Sequence, residues 1–257
     1  MTYCVGLDLQ EGLVLLSDTR TNAGVDNIST FPKMHVFAAP GERMIALMTA
    51  GNLAISQAVV NLLSEGIEEE RTGELTTLMQ VPSMFKAAQL VGQAVRQVWH
   101  VDGGALKAQD ISFDVSVLLA GQIVGRNMRL FQVYAAGNFI EATADTPFLQ
   151  IGEHKYGKPI LDRAVTYDTP LYDGVKLALI SMDSTLRSNL TVGLPIDLLV
   201  YRRDTVEIEL QKRIGDDDPY FRYLRETWGQ SLRNAHKAIP PPPWHDEPAQ
   251  ADFDFEI

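Results

Sequence analysis

The chain has 257 residues, of which 46% are hydrophobic, and this apolar content is enough for one large globular domain. Its 33 acidic and 22 basic residues give a net charge of −11, which argues against nucleic acid or an anionic membrane surface as a partner. No apolar run reaches the length of about 20 residues that spans a bilayer. The single cysteine, Cys4, cannot form an intrachain disulfide. We therefore expect a cytoplasmic protein.

The first eighteen residues predict a β-hairpin. Apolar residues alternate from Val5 to Leu9, a turn follows at Gln10 to Gly12, and a second apolar run extends from Leu13 to Ser17. Two strands folded about that turn bring Thr2 beside Asp18. A third predicted strand begins at Lys33, after a predicted loop from Thr21 to Pro32.

Thr2 directly follows Met1, and its small side chain favours removal of that methionine. A threonine freed in this way carries its hydroxyl and its own base, an α-amine with a pKa of about 8. A lysine nearby lowers the pKa of the hydroxyl, and Asp18 would orient Lys33 and keep it charged. The alternative is that Asp18 and Lys33 form an ordinary ion pair and Thr2 merely begins a strand. Spacing alone does not decide between them.

The next elements alternate between strands and helices. A strand from Arg43 to Met48 is predicted to end at the segment from Thr49 to Asn52, and a helix follows from Leu53 to Ser64. Gly51, just before this helix, either leaves backbone N–H groups for an oxyanion or only permits a tight turn. A second helix is predicted from Met84 to Trp99, where apolar residues recur at helical spacing.

The second half of the predicted domain repeats this order of strands and helices. Four strands are predicted between Phe113 and Ile151, followed by helices at Gly152–Ala164 and Leu171–Arg187 and by a closing hairpin from Ile196 to Leu210. We expect residues 2–51 to form one antiparallel sheet and the four later strands a second. An order of sheet, helices, sheet and helices suits a four-layer sandwich with two central sheets.

The C-terminal part of the chain changes character after Ile239. Before it, Asp218 and Pro219 predict the start of an amphipathic helix that extends to Lys237. After it come four prolines, Pro240 to Pro243, and an acidic tail without lysine or arginine. We therefore divide the chain into a domain at 1–239 and a tail at 240–257. The tail is either a disordered end or a clamp on the next subunit, made by its aromatic residues Trp244, Phe253 and Phe255.

Several motifs in order resemble the N-terminal signature of proteasome β subunits and their bacterial relatives. They are Thr2, the segment Asp18-Thr-Arg-Thr-Asn-Ala-Gly24, Lys33 and Thr49-Ala-Gly51. Together with the segment Ile151–Gly157 and the proline-rich tail, they most resemble the bacterial proteasome-like Anbu subunits over roughly residues 2–237. This resemblance implies an α+β fold, the four-layer αββα sandwich of the N-terminal-nucleophile (Ntn) hydrolases.

The resemblance also implies roles for individual residues. Thr2, Asp18 and Lys33 would be catalytic, and the Gly51 amide would bind the oxyanion. Backbone groups of Arg20, Thr21 and Asn22 would bind an extended substrate, and Thr49 would line the first specificity pocket. These are the residues that match the motifs of the family.

Three positions depart from the pattern of the family: Glu153, Asn189 and Val192, the last of which stands where the second motif of the family has a serine. Glu153 stands where closed-ring relatives have a serine, and as a carboxylate it would either relay a proton or repel the oxyanion. Asn189 stands where they have an aspartate; it keeps a neutral hydrogen bond but loses a charge. Activity is therefore expected to be weaker than in those relatives, or confined to particular substrates.

The resemblance implies a proteasome-type threonine peptidase that cleaves peptides or unfolded proteins. Two rivals stay open: an amidase of the same fold acting on substrates other than peptides, and a self-assembling structural or binding subunit with a weakened catalytic set. The resemblance implies a large homo-oligomer in an open or helical arrangement. No metal-ligand cluster or phosphate-binding loop is evident, so we expect no cofactor or metal. Whether an unfoldase is a partner does not follow from the sequence.

Overall fold

A computed structural model describes residues 2–22, 28–68 and 73–245. Its contacts divide the chain into two units, Met1–Asp218 and Pro219–Ile257. In chain order the strands are β1 (Tyr3–Leu9), β2 (Gly12–Asp18), β3 (Arg20–Asn22), β4 (Ile28–Thr30), β5 (Met34–Ala39), β6 (Arg43–Gly51), β7 (Ile67–Glu68), β8 (Leu75–Thr76), β9 (Val115–Ile123), β10 (Arg129–Val133), β11 (Phe139–Glu141), β12 (Phe148–Gly152), β13 (Ile196–Arg202) and β14 (Ile208–Ile214). The helices are α1 (Leu53–Glu65), α2 (Met84–Ala108), α3 (Lys158–Ala164), α4 (Leu171–Ser188) and α5 (Pro219–Ala238).

Two five-stranded antiparallel sheets form the centre of the first unit. One has the order β12-β1-β2-β13-β14 and the other the order β11-β10-β9-β6-β5. Their facing sides share a buried apolar core, to which Cys4, Leu15, Met48, Leu118 and Leu130 belong. This core is the reason that alternate residues of both sheets are apolar, since each strand turns every second side chain toward it.

Helices cover the outer face of each sheet. Helices α1 and α2 pack on β6, β9 and β10 around a second apolar cluster, and α4 packs on β1 and β2. The order of layers is therefore helices, sheet, sheet, helices, which confirms the predicted α+β sandwich. Side-chain caps begin both helices of the first layer: Asn52 accepts a hydrogen bond from the Ala54 N–H, and Ser83 accepts one from the Lys86 N–H.

The predicted hairpins are present, but their division between the sheets was wrong. Strands β1 and β2 lie in one sheet and β5 and β6 in the other, because β1 pairs with β12 and β6 pairs with β9. The strand expected to end at Met48 continues to Gly51 for the same reason, since Thr49–Gly51 pair with Val115–Val117. The predicted loop from Thr21 to Pro32 contains the short pair β3 and β4.

Two other boundaries also differ from those predicted. The helix expected from Gly152 begins only at Lys158, because Gly152 ends β12 with a left-handed φ of 80°. Helix α2 extends well past Trp99, to Ala108. No helix among the described residues is both long enough and apolar enough to cross a membrane.

The second unit consists, in its described part, of α5 and the segment that follows it. Helix α5 agrees with the predicted amphipathic helix. A short 3₁₀ turn spans Pro243–His245, and Trp244 within it is 63% exposed. Phe253 and Phe255 lie outside the described residues, so the role predicted for the tail stays a prediction.

Candidate active site

Thr2 is buried at the start of β1, between the ends of two neighbouring strands. Its carbonyl oxygen accepts a hydrogen bond of 2.7 Å from the Glu153 N–H. A Cβ on Gly152 would lie 1.9 Å from the same oxygen, and its φ of 80° is a conformation that side chains disfavour. Gly152 therefore allows the end of β12 to lie directly against the backbone of Thr2.

A buried ion pair between Asp18 and Lys33 lies beside Tyr3, the residue that follows Thr2. The Lys33 Nζ is 2.6 Å from the Asp18 Oδ1, and it also donates a hydrogen bond of 2.7 Å to the Arg20 carbonyl oxygen. Lys33 is 4% exposed and Asp18 is fully buried. The hairpin of β1 and β2 brings Asp18 here, and Lys33 reaches it from the residue just before β5.

Backbone N–H groups satisfy the remaining acceptor positions of Asp18. Tyr3 donates to its Oδ1 at 3.0 Å, while Arg20 and Gly193 donate to its Oδ2 at 3.2 and 3.3 Å. Burial raises the pKa of the Asp18 carboxyl above its ordinary value, and the Lys33 ammonium opposes that rise. Because the Tyr3 N–H belongs to the residue that follows Thr2, the carboxylate ties the position of Thr2 to that of Lys33.

A cavity of about 460 Å³ opens beside Thr2. It lies where the edge strand β12 meets the ends of β6, β9 and β10. Its lining residues are Thr2, Ala50, Gly51, Asp114, Ser116, Gln132, Gln150, Ile151, Gly152, Glu153 and His154. The cavity therefore brings three of the predicted site residues together: Thr2, Gly51 and Glu153.

Comparison with known proteins identifies the family to which the chain belongs. No protein-family model and no curated protein matches the chain. Among solved structures, an Anbu (Gly-1) mutant from Hyphomicrobium sp. strain MC1 is 51% identical over 94% of this chain and 99% of its own, with a TM-score of 0.86. Anbu (ancestral beta-subunit) from Yersinia bercovieri is also 51% identical, over 93% of this chain and 97% of its own, with a TM-score of 0.85.

A third solved structure agrees with these two. It is the helical assembly of the Anbu complex from Pseudomonas aeruginosa, which is 48% identical over 95% of this chain and 100% of its own, with a TM-score of 0.87. The chain belongs to the Anbu family. Anbu subunits are proteasome-like, so the fold derived above is that of a proteasome-like β subunit.

Gly51 occupies the end of β6 in this Anbu chain, immediately before the N-cap of α1. Its φ is 106°, and a Cβ there would lie 2.3 Å from the Asp114 carbonyl oxygen. The left-handed φ and the close approach of the Asp114 backbone therefore require glycine at this position. This backbone conformation also places Gly51 in the wall of the cavity with Thr2, where the predicted oxyanion role needs it.

Glu153 is held by its backbone to Thr2, and its side chain is only loosely paired. The side chain is 16% exposed, and its Oε2 is 3.7 Å from the Nζ of Lys155, whose own side chain is 68% exposed. The Glu153 carboxylate, predicted to stand where closed-ring relatives have a serine, therefore lies in the cavity wall, and among the described residues its nearest ionic partner is Lys155 at 3.7 Å.

Asn189 does not line this cavity, as far as the described residues define it. Its Oδ1 accepts hydrogen bonds from the Thr191 N–H at 2.9 Å and from the Thr191 hydroxyl at 2.6 Å. Its carbonyl oxygen accepts one from the Val192 N–H. These bonds shape the turn that leads to Gly193, whose N–H donates to Asp18. Asn189 is thus connected to the site through the backbone of this turn.

The predicted substrate-binding segment forms β3, which pairs with β4 along one edge. The Arg20 side chain forms a hydrogen bond within the protein: its Nη1 donates to the Leu190 carbonyl oxygen at 3.0 Å. Thr21 lies in the middle of β3, and of Asn22 only the backbone is described.

Thr49 lies on the helix-facing side of β6 and not on the side that faces the other sheet. It alternates with Met48 and Ala50, which belong to the core between the sheets. The cavity described above is lined by Ala50. A pocket lined by Thr49 would therefore open on the opposite face of the strand.

One polar contact near Thr2 was not foreseen from the sequence. The Tyr3 hydroxyl is 2.5 Å from the Ser181 Oγ and accepts a hydrogen bond of 2.5 Å from the Gln150 Nε2. Burial raises the pKa of this phenol well above its ordinary value, so it stays neutral. Ser181 is 178 positions away in the sequence, and no local pattern indicates such a contact. Among the described residues, no group of three or more His, Cys, Asp or Glu side chains is arranged to hold a metal.

Proposed function

We propose that this Anbu chain is an N-terminal threonine hydrolase that acts on peptide bonds after Met1 has been removed. The buried pair of Asp18 and Lys33 is the observation that supports this most strongly. A buried ion pair is costly to desolvate and is weak evidence for stability alone. Here it lies next to a threonine that methionine removal makes N-terminal, where a fixed cation has a chemical use.

In the proposed reaction, the Thr2 Oγ attacks the carbonyl carbon of the substrate while its proton passes to the free α-amine. The Lys33 ammonium stabilises the developing alkoxide. The carbonyl oxygen becomes an oxyanion, which accepts a hydrogen bond from the Gly51 N–H. The intermediate then collapses to an ester on Thr2, and the departing amine takes the proton from the α-ammonium. Water, giving its proton to the same α-amine, hydrolyses the ester.

An extended peptide fits the edge of β3. This strand pairs with β4 on one side, and its other edge pairs with no strand among the described residues. A substrate strand added there would receive main-chain hydrogen bonds from Thr21 and Asn22 of the predicted segment, because the N–H and the carbonyl oxygen of Arg20 already bond to Asp18 and Lys33. Thr49 is proposed to line the pocket for the side chain on the acyl side of the cleaved bond. The same chemistry suits other amides, so an amidase remains the nearest rival.

A second candidate function is a structural or binding assembly. The predicted substitutions Glu153, Asn189 and Val192 favour it. In particular, Asn189 pairs with Thr191, which leaves the charge of the aspartate of closed-ring relatives without a substitute. We also propose that the chain assembles with itself in an open or helical arrangement, as its relative from Pseudomonas aeruginosa forms a helical assembly. The predicted clamp by the tail belongs to this proposal.

Covalent labelling tests the catalytic proposal. The protein, with Met1 removed, is treated with an electrophile that needs both the hydroxyl and the α-amine of an N-terminal threonine, and the modified peptide is mapped by mass spectrometry. We expect one label per chain, on Thr2, and none in Thr2→Ala. Efficient labelling of Thr2, together with cleavage of fluorogenic peptides by the unlabelled protein, would support a peptidase. Absence of labelling in a folded, correctly processed protein would favour the structural assembly.

A further inference from the structure

The cavity beside Thr2 has an unusual balance of charge. Two carboxylates, of Asp114 and Glu153, line it together with the neutral polar side chains of Ser116, Gln132 and Gln150. Of the described lining residues, only His154 carries a basic side chain, and its Nδ1 is 3.1 Å from the Gly152 carbonyl oxygen. No lysine or arginine is among them.

Neither carboxylate is neutralised by a close partner among the described residues. The Asp114 side chain makes no hydrogen bond or ion pair there, whereas its carbonyl oxygen accepts a hydrogen bond from the Asn52 N–H. Glu153 faces Lys155 only across 3.7 Å, and that lysine is mostly exposed. A pair this long with an exposed lysine contributes little, so a cation entering the cavity can replace Lys155 without a large loss.

The position of the cavity makes this charge relevant to the substrate. The proposed nucleophile, Thr2, and the proposed oxyanion donor, Gly51, lie in its wall. Any substrate bound with its carbonyl at Thr2 therefore places a neighbouring group at or in the cavity. With a volume of about 460 Å³, the cavity is within the range of sites that hold small ligands or large side chains.

We propose that this cavity selects substrates with a cationic side chain, lysine or arginine, on the amine side of the cleaved bond, since the pocket proposed at Thr49 takes the side chain on the acyl side. This inference rests on the proposed hydrolase function and adds the class of its substrate. The carboxylates of Asp114 and Glu153 pair with the cation, and the neutral polar side chains accept its remaining hydrogen bonds. An acidic side chain is disfavoured there, since it would lie beside two like charges.

The test compares three Thr2-directed electrophiles that share one reactive carbonyl and differ only in a side group on the part that corresponds to the departing amine: cationic, neutral of the same length, and anionic. On the processed protein, we expect the cationic compound to label Thr2 roughly 10- to 100-fold faster than the neutral one, which is the effect of a hydrogen bond to a charged group. The anionic compound should be the slowest. Raising the salt concentration should reduce the difference, because exposed charges are screened.

Asp114→Asn is the variant that tests the cavity itself. It keeps the size of the side chain and the backbone contacts, and the advantage of the cationic compound over the neutral one should fall several-fold. Asp145→Asn is the matched control: it makes the same change of charge at an exposed aspartate that does not line the cavity. This control should retain the full preference.

The outcomes separate this inference from the function on which it rests. Equal labelling of Thr2 by all three compounds would leave the hydrolase in place and overturn the selectivity for cations. An equal loss of preference in Asp114→Asn and Asp145→Asn would trace it to overall charge and also overturn the assignment to the cavity. Failure of all three compounds to label Thr2 would contradict the proposed function and this inference with it.

Discussion

The groups on the two sides of Thr2 differ in burial and in how closely they are paired. On one side, Asp18 and Lys33 form a pair that is buried, short and surrounded by backbone donors. On the other, the Glu153 carboxylate lines a cavity and pairs with Lys155 only across 3.7 Å. The first side holds Asp18 and Lys33, which the motifs predicted, and the second holds Glu153, predicted to stand where closed-ring relatives have a serine. Lys33, which is proposed to activate Thr2, is thus held in one position by Asp18, whereas Glu153 is held only by a long ion pair.

Lys33→Ala should have the largest effect on labelling of Thr2. Removing the ammonium takes away the cation beside the nucleophile, and we expect labelling to be lost altogether. The Asp18 carboxylate stays buried with its backbone donors, at a cost of up to about 3–5 kcal/mol in the free energy of unfolding. The measurements are the labelling rate and the thermal melting transition.

The expected pattern is lost labelling with a cooperative transition at a lower temperature. A folded Lys33→Ala protein that still labels at the normal rate would show that the pair is structural. It would also remove the main difference between the two sides of Thr2.

Gly152→Ala should have the next largest effect. Its Cβ would lie 1.9 Å from the Thr2 carbonyl oxygen, so β12 has to move away from Thr2. We expect strong loss of labelling and a lower melting temperature. Gly41→Ala is a matched control, because Gly41 has a similar φ of 78° but no atom within 4 Å of an added Cβ.

Gly41→Ala should lose only about 1–2 kcal/mol of stability, because alanine is strained in a left-handed backbone conformation, and its Thr2 should be labelled at the normal rate. Equal effects of the two substitutions would mean that backbone strain, and not the contact with Thr2, is responsible. The close approach of β12 would then have no part in positioning the nucleophile.

The residues on the two sides of Thr2 also differ in whether the sequence alone could place them in the site. Thr2, Asp18 and Lys33 are joined by a hairpin and the strand after it, so local patterns bring them together. Glu153 and Asn189 were located through the motifs of the family. Asp114 and the contact between Tyr3 and Ser181 depend on pairings between distant parts of the chain, which no local pattern specifies.

The same reasoning applies to the fold. Alternating apolar residues predicted the hairpins and most of the strands, because the pattern along a strand is set by the core it faces. They did not predict that β1 pairs with β12, about 145 residues later, or that the first two hairpins lie in different sheets. Which strands pair, and which sheet a hairpin joins, depend on how whole layers pack. Apolar residues alternate with a period of two in either sheet, so this alternation does not distinguish the two sheets.

Glu153→Gln should have a smaller effect than the two substitutions above. The amide keeps the size of the side chain and removes its charge. If Glu153 is not the essential base, labelling by a neutral electrophile should change by less than about tenfold, as expected for a partly exposed charged group. A loss as large as that of Lys33→Ala would assign Glu153 a direct part in proton transfer, and the two sides of Thr2 would then be equally important.

Asn189→Ala should have the smallest effect of the four. The substitution removes the acceptor of two hydrogen bonds from Thr191, which costs about 0.5–2 kcal/mol of stability. The turn before Gly193 loosens, its N–H bonds less well to Asp18, and we expect labelling to slow only a few-fold. Asn189→Asp separates the turn from the charge, because it keeps the acceptor and restores the aspartate of the related subunits. If labelling becomes faster than in the parent protein, the missing charge limits this Anbu chain; if it is unchanged, Asn189 serves only to shape the turn.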